Sequence, residues 1–205
     1  MTVRSGEELL TVIRESLGRL ELELQGETPL NFTLWNERGN GVFRPKDEER
    51  LSDVIKQHLV RDLKDRGVIA HREVQIRSKQ GKTGVPGEET DIHVDVLVPL
   101  PDREQLIRIR VIIEVKGCWH KDVLTAMESQ LRDRYLGTND CRHGLYVVGW
   151  FICSQWDNTD QRQKKATSQL PATIDATRLL FEDQAARLSQ AGVVLQAEVL
   201  NGALR

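Results

Sequence analysis

The sequence predicts an α/β fold, a mixed β-sheet flanked by helices with a helical arm at its N-terminus, and three observations carry that expectation. Residues 92–98 and 107–115 alternate apolar and polar side chains, as two strands with one buried face do. Residues 144–151 form a nearly unbroken apolar run, the pattern of a central strand covered on both sides. Around these strands, leucine-rich stretches with three- and four-residue spacing mark amphipathic helices.

The elements follow in order. Residues 5–24 carry Leu9, Leu10, Ile13, Leu17, Leu20 and Leu24 on one broad stripe, which predicts the N-terminal helix. Residues 26–45, with the run Asn-Glu-Arg-Gly-Asn-Gly starting at Asn36, read as a loop anchored by Trp35. That loop separates an arm, residues 1–44, from a main domain, residues 45–205. A second helix is expected over 47–66, where Leu51, Val54, Ile55, Leu59 and Leu63 share a face and Gly67 supplies the stop. A strand over 68–77 and a Gly/Lys-rich loop over 81–87 lead into the hairpin. Beyond it the pattern predicts a helix over 121–136 with Val123, Leu124, Met127 and Leu131 inward, the strand at 144–151, a helix over 173–190 and a last strand over 193–200. After the arm the order is helix, three strands, helix, strand, helix, strand.

A chain of 205 residues, 39% hydrophobic, buries one sizeable core. With 29 Lys and Arg against 31 Asp and Glu the net charge is -2, which leaves nucleic acid open as a partner because binding needs only a local basic patch. Cys118, Cys141 and Cys153 are odd in number and lack metal-ligand spacing, so a reducing, cytoplasmic setting fits. The longest apolar run, 145–153, is far shorter than the roughly 20 residues a membrane helix needs, and no signal segment opens the chain. The leucine stripe of the arm, lying ahead of the loop, suggests a surface for self-association or for a larger multidomain partner. Trp150 and Trp156 are expected in packing roles.

The hairpin concentrates charge on one face: Asp91, His93 and Asp95 on its first strand, Arg108, Arg110, Glu114 and Lys116 on its second. Such a face is ordinarily solvated, yet Leu97 and Ile112 share it, and a covered carboxylate requires a partner or a metal. Phosphodiesters resist attack because their charge repels nucleophiles, so hydrolysis calls for a cation at the phosphate and an activated water. Two carboxylates facing each other across paired strands suit a hard ion such as Mg²⁺, and a lysine two residues beyond the second points to the same side. Glu114 and Lys116 have that spacing, and Asp91 or Asp95 supplies the partner. A turn centred between Asp102 and Arg103 sets Asp91 opposite Glu114 and Asp95 opposite Arg110, which favours Asp91. His93 shares the Asp91 face and could touch a ligand, but an ordinary hydrogen-bonded histidine is the expectation; Lys79 and Lys82 could contact phosphates, but solvated loop lysines are the commoner finding.

The segment Thr90-Asp91-Ile92, followed by Ile113-Glu114-Val115-Lys116-Gly117, resembles the signature of the PD-(D/E)XK nuclease superfamily, whose fold is that of restriction endonucleases. The resemblance covers roughly residues 47–151. It implies a restriction-endonuclease-like fold and a Mg²⁺-dependent deoxyribonuclease in which Mn²⁺ can substitute. It further implies that Asp91 and Glu114 ligate the ion with the Val115 carbonyl, that Lys116 orients or activates the attacking water, and that Glu48 places another acid near the metal. Gln130 and Tyr135 resemble a Gln/Tyr pair of recombination-type members, although they stand five residues apart rather than four. Residues 119–135 and 144–151 are similar to nuclease-like domains appended to large bacterial proteins, including NTPases of phage defence. Phage defence is therefore one expected setting and recombination or repair another, with a catalytically silent module for nucleic-acid binding or assembly as the rival.

Overall fold

Strands that alternate along their length must bury one face, and a strand apolar on both faces must lie between neighbours. In the computed structural model, which describes residues 3–77, 88–99, 106–137, 141–190 and 192–205, both demands are met by one five-stranded sheet. The side chains of residues 73–77 and 88–91 lie outside the described set, as do the Gly/Lys-rich loop with Lys79 and Lys82 and the hairpin turn at Asp102 and Arg103. Strands β3 (Val68–Arg77), β4 (Glu88–Pro99) and β5 (Leu106–Gly117) are antiparallel neighbours. Strands β6 (His143–Trp150) and β7 (Val194–Asn201) then continue the sheet parallel to β5, so the sheet is mixed, as the sequence predicts.

Helices cover both faces. Helices α1 (Gly6–Gln25) and α2 (Glu48–Asp62) lie on one side, where a Cβ added to Gly149 would meet the Leu51 side chain at 2.5 Å. On the other side a wide, π-type helix (Met127–Leu136) and α4 (Ile174–Leu188) close over the sheet. There a Cβ on Gly144 would meet Leu136 and Leu131 at 3.0 and 3.1 Å, and Phe181 packs on Tyr146 with ring centroids 5.6 Å apart. Helices α1 and α2 each start on a side-chain cap: Ser5 accepts from the Glu8 N–H at 3.1 Å and Asp47 from the Arg50 N–H at 3.0 Å. Gly67 stops the second helical segment with φ 67°, a left-handed turn that favours glycine.

Helix α1 is part of this core rather than a projecting arm. It packs against α2, β5, β6 and β7, and Leu9, Leu10, Ile13, Leu17, Leu20 and Leu24 are all buried. The stripe expected to face a partner therefore faces the chain's own sheet, where α1 reaches across β5, β6 and β7. Polar contacts secure the seam between the helices: Ser16 donates to Asp62 at 2.6 Å, Arg19 clamps the same carboxylate, and His58 meets the Ser16 carbonyl at 2.8 Å.

Three segments differ from the sequence expectation. Residues 26–45 hold a 3₁₀ turn (Asn31–Leu34) and a hairpin of β1 (Trp35–Gly39) and β2 (Val42–Pro45), made possible by positive φ at Gly39, Asn40 and Gly41. Only Trp35 of β1 is buried, so no alternation marked the strand. As expected, Trp35 anchors the segment: its indole N–H donates to the Gly202 carbonyl at 2.7 Å, and its ring packs edge-on against Phe151 and Trp156. Helix α3 (Gln161–Gln169) buries only Ala166 and so lacked an apolar stripe. The segment expected as a helix from 121 begins instead as tight turns, with the Val123 N–H bonded to the His120 carbonyl and Thr125 to Asp122. Only from Met127 does the wide helix run, and Leu124 is left 40% exposed.

Two stability measurements follow. Leu17→Ala should cost about 3 kcal/mol in urea unfolding, whereas Leu22→Ala, at a position 73% exposed on the same helix, should cost less than about 0.5 kcal/mol. The Arg19 hydrogen bond holds the Asp62 carboxyl down at about 2, against an ordinary 3.8. A depressed folded-state value means the stabilisation is present above the unfolded-state value and is lost as pH falls through the folded one. Asp62→Asn should therefore lower stability by about 1 kcal/mol at neutral pH, with the gap to the native protein closing between about pH 4 and pH 2.

Candidate functional site

Strand β5 alternates so that Ile113 and Val115 face α1 and α2 while Ile112, Glu114 and Lys116 face the π-helix side. Both of its faces are covered there: Glu114 is 2% exposed and Lys116 8%. Lys116 Nζ lies 2.6 Å from Glu114 Oε1, so two charges taken out of water compensate each other. Their neighbours across the parallel ladder are Tyr146 and Val148, and the Tyr146 hydroxyl donates to the Val123 carbonyl at 2.7 Å. The cover is partial along the hairpin, for Ile112 is fully buried but Leu97 is 46% exposed.

The β4–β5 register runs from Ile92 opposite Ile113 to Pro99 opposite Leu106. It places Asp95 opposite Arg110, and Arg110 clamps that carboxylate with two hydrogen bonds of 2.7 and 2.9 Å. The bond to Asp95 raises the Arg110 pKa further above its ordinary value. Asp95 is thus fully engaged by a cation, as the register argument anticipates. The described register ends at the Ile92–Ile113 pair, and Asp91 and Glu114 stand one position beyond it on their two strands. The side chain of Asp91 lies outside the described set.

The same end of β5 receives the first turn of α2. Glu48 Oε1 accepts the Gly117 N–H at 2.9 Å, and Glu48 Oε2 stands 4.0 Å from His120 Nε2. A helix N-terminus favours an acid, and here that acid also ties α2 to the strand that carries Glu114. Trp119 walls the turn, with the Arg162 guanidinium 5.2 Å from its ring centroid. From α3, Gln169 donates to the carbonyls of Cys118 and His120 at 2.8 and 3.0 Å, pinning the segment after β5. Burial pushes the Cys118 thiol up to about 12, which leaves it an inert core group.

Comparison with protein-family models, curated proteins and solved structures gave no match. The chemistry of the site is therefore read from its own residues.

Gln130 is half-buried on the π-helix, and no hydrogen bond joins it to Glu114 or Lys116 among the described residues. Hydrogen bonding from i to i+5, seen in the Gly137 N–H to the Arg132 carbonyl, stacks residues five apart. Gln130 and Tyr135, on different faces of an ordinary α-helix, stand on neighbouring rows of this one. Among the described residues no three His, Cys, Asp or Glu side chains gather as a metal cage. A groove of about 550 Å³ is lined by Asn36, Lys46, Asp47, Arg50 and Arg162 among others. It borders the α2 N-terminus but not Glu114 or Lys116.

Two residues stand out beyond the sequence expectation. His120 follows the Lys116-Gly117 pair closely enough to have been noticed, but only the fold brings it to Glu48. His93, expected to be hydrogen-bonded, is 2% exposed and has no partner on either ring nitrogen among the described residues. Leaving a buried donor or acceptor unpaired costs about 1–3 kcal/mol each. Burial first, then the nearby Arg110 charge, lowers its pKa to about 4, so the ring is neutral at physiological pH.

Gly117 tests how tightly the turn is built. A Cβ there would meet the Trp119 ring at 2.6 Å, and a ring fixed by Phe151 and Trp156 has little room to give. Gly117→Ala should cost about 1–3 kcal/mol and shift the tryptophan emission, whereas Gly18→Ala, where a Cβ meets nothing within 4 Å, should be neutral or stabilising in the same melt.

Proposed function

We propose that the chain is a metal-dependent nuclease that hydrolyses DNA phosphodiester bonds, with Asp91, Glu114 and Lys116 at its reaction centre. The observation that carries this reading is the buried Glu114–Lys116 pair, at two-residue spacing on a central strand, with the adjacent strand paired to it up to Ile92, the residue after Asp91. In a restriction-endonuclease-like arrangement, which these residues resemble, Asp91, Glu114, the Val115 carbonyl and Glu48 would hold Mg²⁺ or Mn²⁺. The donors are hard oxygens, as such ions require, and on the same face the buried ring nitrogens of His93 have no hydrogen-bond partner among the described residues. When bound, the cation supplies charge stabilisation at the phosphate and lowers the pKa of a water.

The chain's own residues do the rest. Glu114 fixes the position of the Lys116 ammonium, and Lys116 orients the attacking water and exchanges its proton. Glu48, held by the Gly117 N–H, keeps α2 against the end of β5. Gln130 adds a polar group from the π-helix for the water or the phosphate. Phage defence and recombination or repair are the two settings in which such an activity would serve. A second reading has its own support: because Lys116 already satisfies one Glu114 oxygen, the pair also suits a silent module that binds nucleic acid or assembles with a larger protein.

Incubation with supercoiled plasmid, linear DNA and RNA, in Mg²⁺, Mn²⁺ or chelator, separates the readings. The native protein should cut DNA only with metal, and Asp91→Ala, Glu114→Gln or Lys116→Ala should each lower the rate roughly 100-fold or more. Asp95→Ala should retain cleavage, since it loses only the Arg110 clamp. Single changes at Glu114 or Lys116 remove a partner of a buried charge, so each rate is normalised to the folded fraction by circular dichroism. Full activity in Glu114→Gln would falsify the nuclease reading. Salt-sensitive DNA binding without any cleavage by the native protein would support the silent module.

A further inference from the structure

His93 lies on β4 two residues from Asp91, opposite Ile112 on β5 and opposite His71 on β3. By that register it occupies the Glu114 face, one pair on from Ile92–Ile113 and two before Asp95–Arg110. Diagonal neighbours on one sheet face stand about 7–8 Å apart, close enough for a ring and a carboxylate to share an ion between them. The ring is almost completely buried, yet among the described residues neither nitrogen has a hydrogen-bond partner. Asp95, the nearest acid on its own strand by the described side chains, is already taken by Arg110. Packing alone does not account for an imidazole here, since an apolar residue would fill the space without unpaired polar atoms. A neutral imidazole carries one lone pair, and a cation held by the flanking carboxylates would satisfy it.

We infer that His93 donates an imidazole nitrogen to the divalent metal held by Asp91 and Glu114, so that the site prefers a nitrogen-tolerant transition ion, Mn²⁺, over Mg²⁺. The inference rests on the nuclease reading for the two carboxylates and adds a ligand and a metal preference to it. An all-oxygen site accommodates Mg²⁺ and Mn²⁺ alike, whereas an imidazole donor shifts the balance toward the later first-row ions.

Mn²⁺ binding to the full chain, followed by calorimetry and by electron spin echo modulation from ligand nitrogen, tests this directly. The native protein should show imidazole nitrogen coupling and bind Mn²⁺ at least about tenfold more tightly than Mg²⁺. In His93→Gln the coupling should vanish and Mn²⁺ affinity should fall roughly tenfold, while Mg²⁺ affinity changes less than about twofold. His71→Gln and His120→Gln should keep the coupling, and these two decide the matter if His93→Gln does not fold. Coupling that disappears in His120→Gln, or native protein that binds Mn²⁺ without nitrogen coupling, overturns the His93 assignment and leaves the nuclease reading standing. Folded native protein that binds neither metal overturns both.

Discussion

The pairing of β4 with β5 is the constraint on which the rest of the structure depends. Side chains alternate with a period of two, so a one-residue slip between these strands would turn Glu114 and Lys116 onto the α1–α2 face and bring Ile113 and Val115 in their place. The observed register avoids this on both faces at once. It stacks Ile92 with Ile113 and Val94 with Val111 in the apolar layer, and on the other face it sets Asp95 against Arg110. The Asp95–Arg110 clamp is a two-bond contact in a half-buried position, where a like-charged neighbour would be costly. It favours one pairing over its alternatives more than it adds to stability.

Once that register is set, burial of the charged pair follows from the parallel half of the sheet. Strand β6 places Tyr146 and Val148 beside Glu114 and Lys116, and the π-helix and α4 roof the same side. A solvated Glu-x-Lys on an edge strand would be a surface ion pair of little consequence. Between two covered faces the same residues become a strongly coupled pair with fixed geometry. Helix α1 contributes from the opposite side: by covering β5, β6 and β7 it lets the central strands be apolar on that face without exposing them. The leucine stripe serves the site indirectly, through the rigidity of the strand that carries it.

Much of this was legible in the chain because it is local. Alternation in residues 92–98 and 107–115 announced the hairpin, the 144–151 run announced a doubly covered strand, and Gly67 marked a helix end. Elements with weak local patterns were missed: α3 buries one alanine, and β1 buries only Trp35. The stripe on α1 was read correctly as apolar but assigned to a partner. Helical periodicity shows that a face needs cover and carries no information on which surface covers it. The wide turn of the π-helix was likewise invisible, since Met127, Leu131 and Tyr135 fit an ordinary helix as well.

By itself the sequence determined that Glu114 and Lys116 share a face and that Asp95 and Arg110 meet, because strand period and hairpin register are properties of neighbouring residues. Only the tertiary structure decided that Glu48 reaches the Gly117 N–H, a contact between residues 69 apart in the chain, and that His120 joins it. It also decided that His93 is enclosed without a hydrogen-bond partner among the described residues. These outcomes depend on which helix lies over which strand. Such layering minimises the exposed apolar surface of the whole chain at once, so no local pattern encodes it.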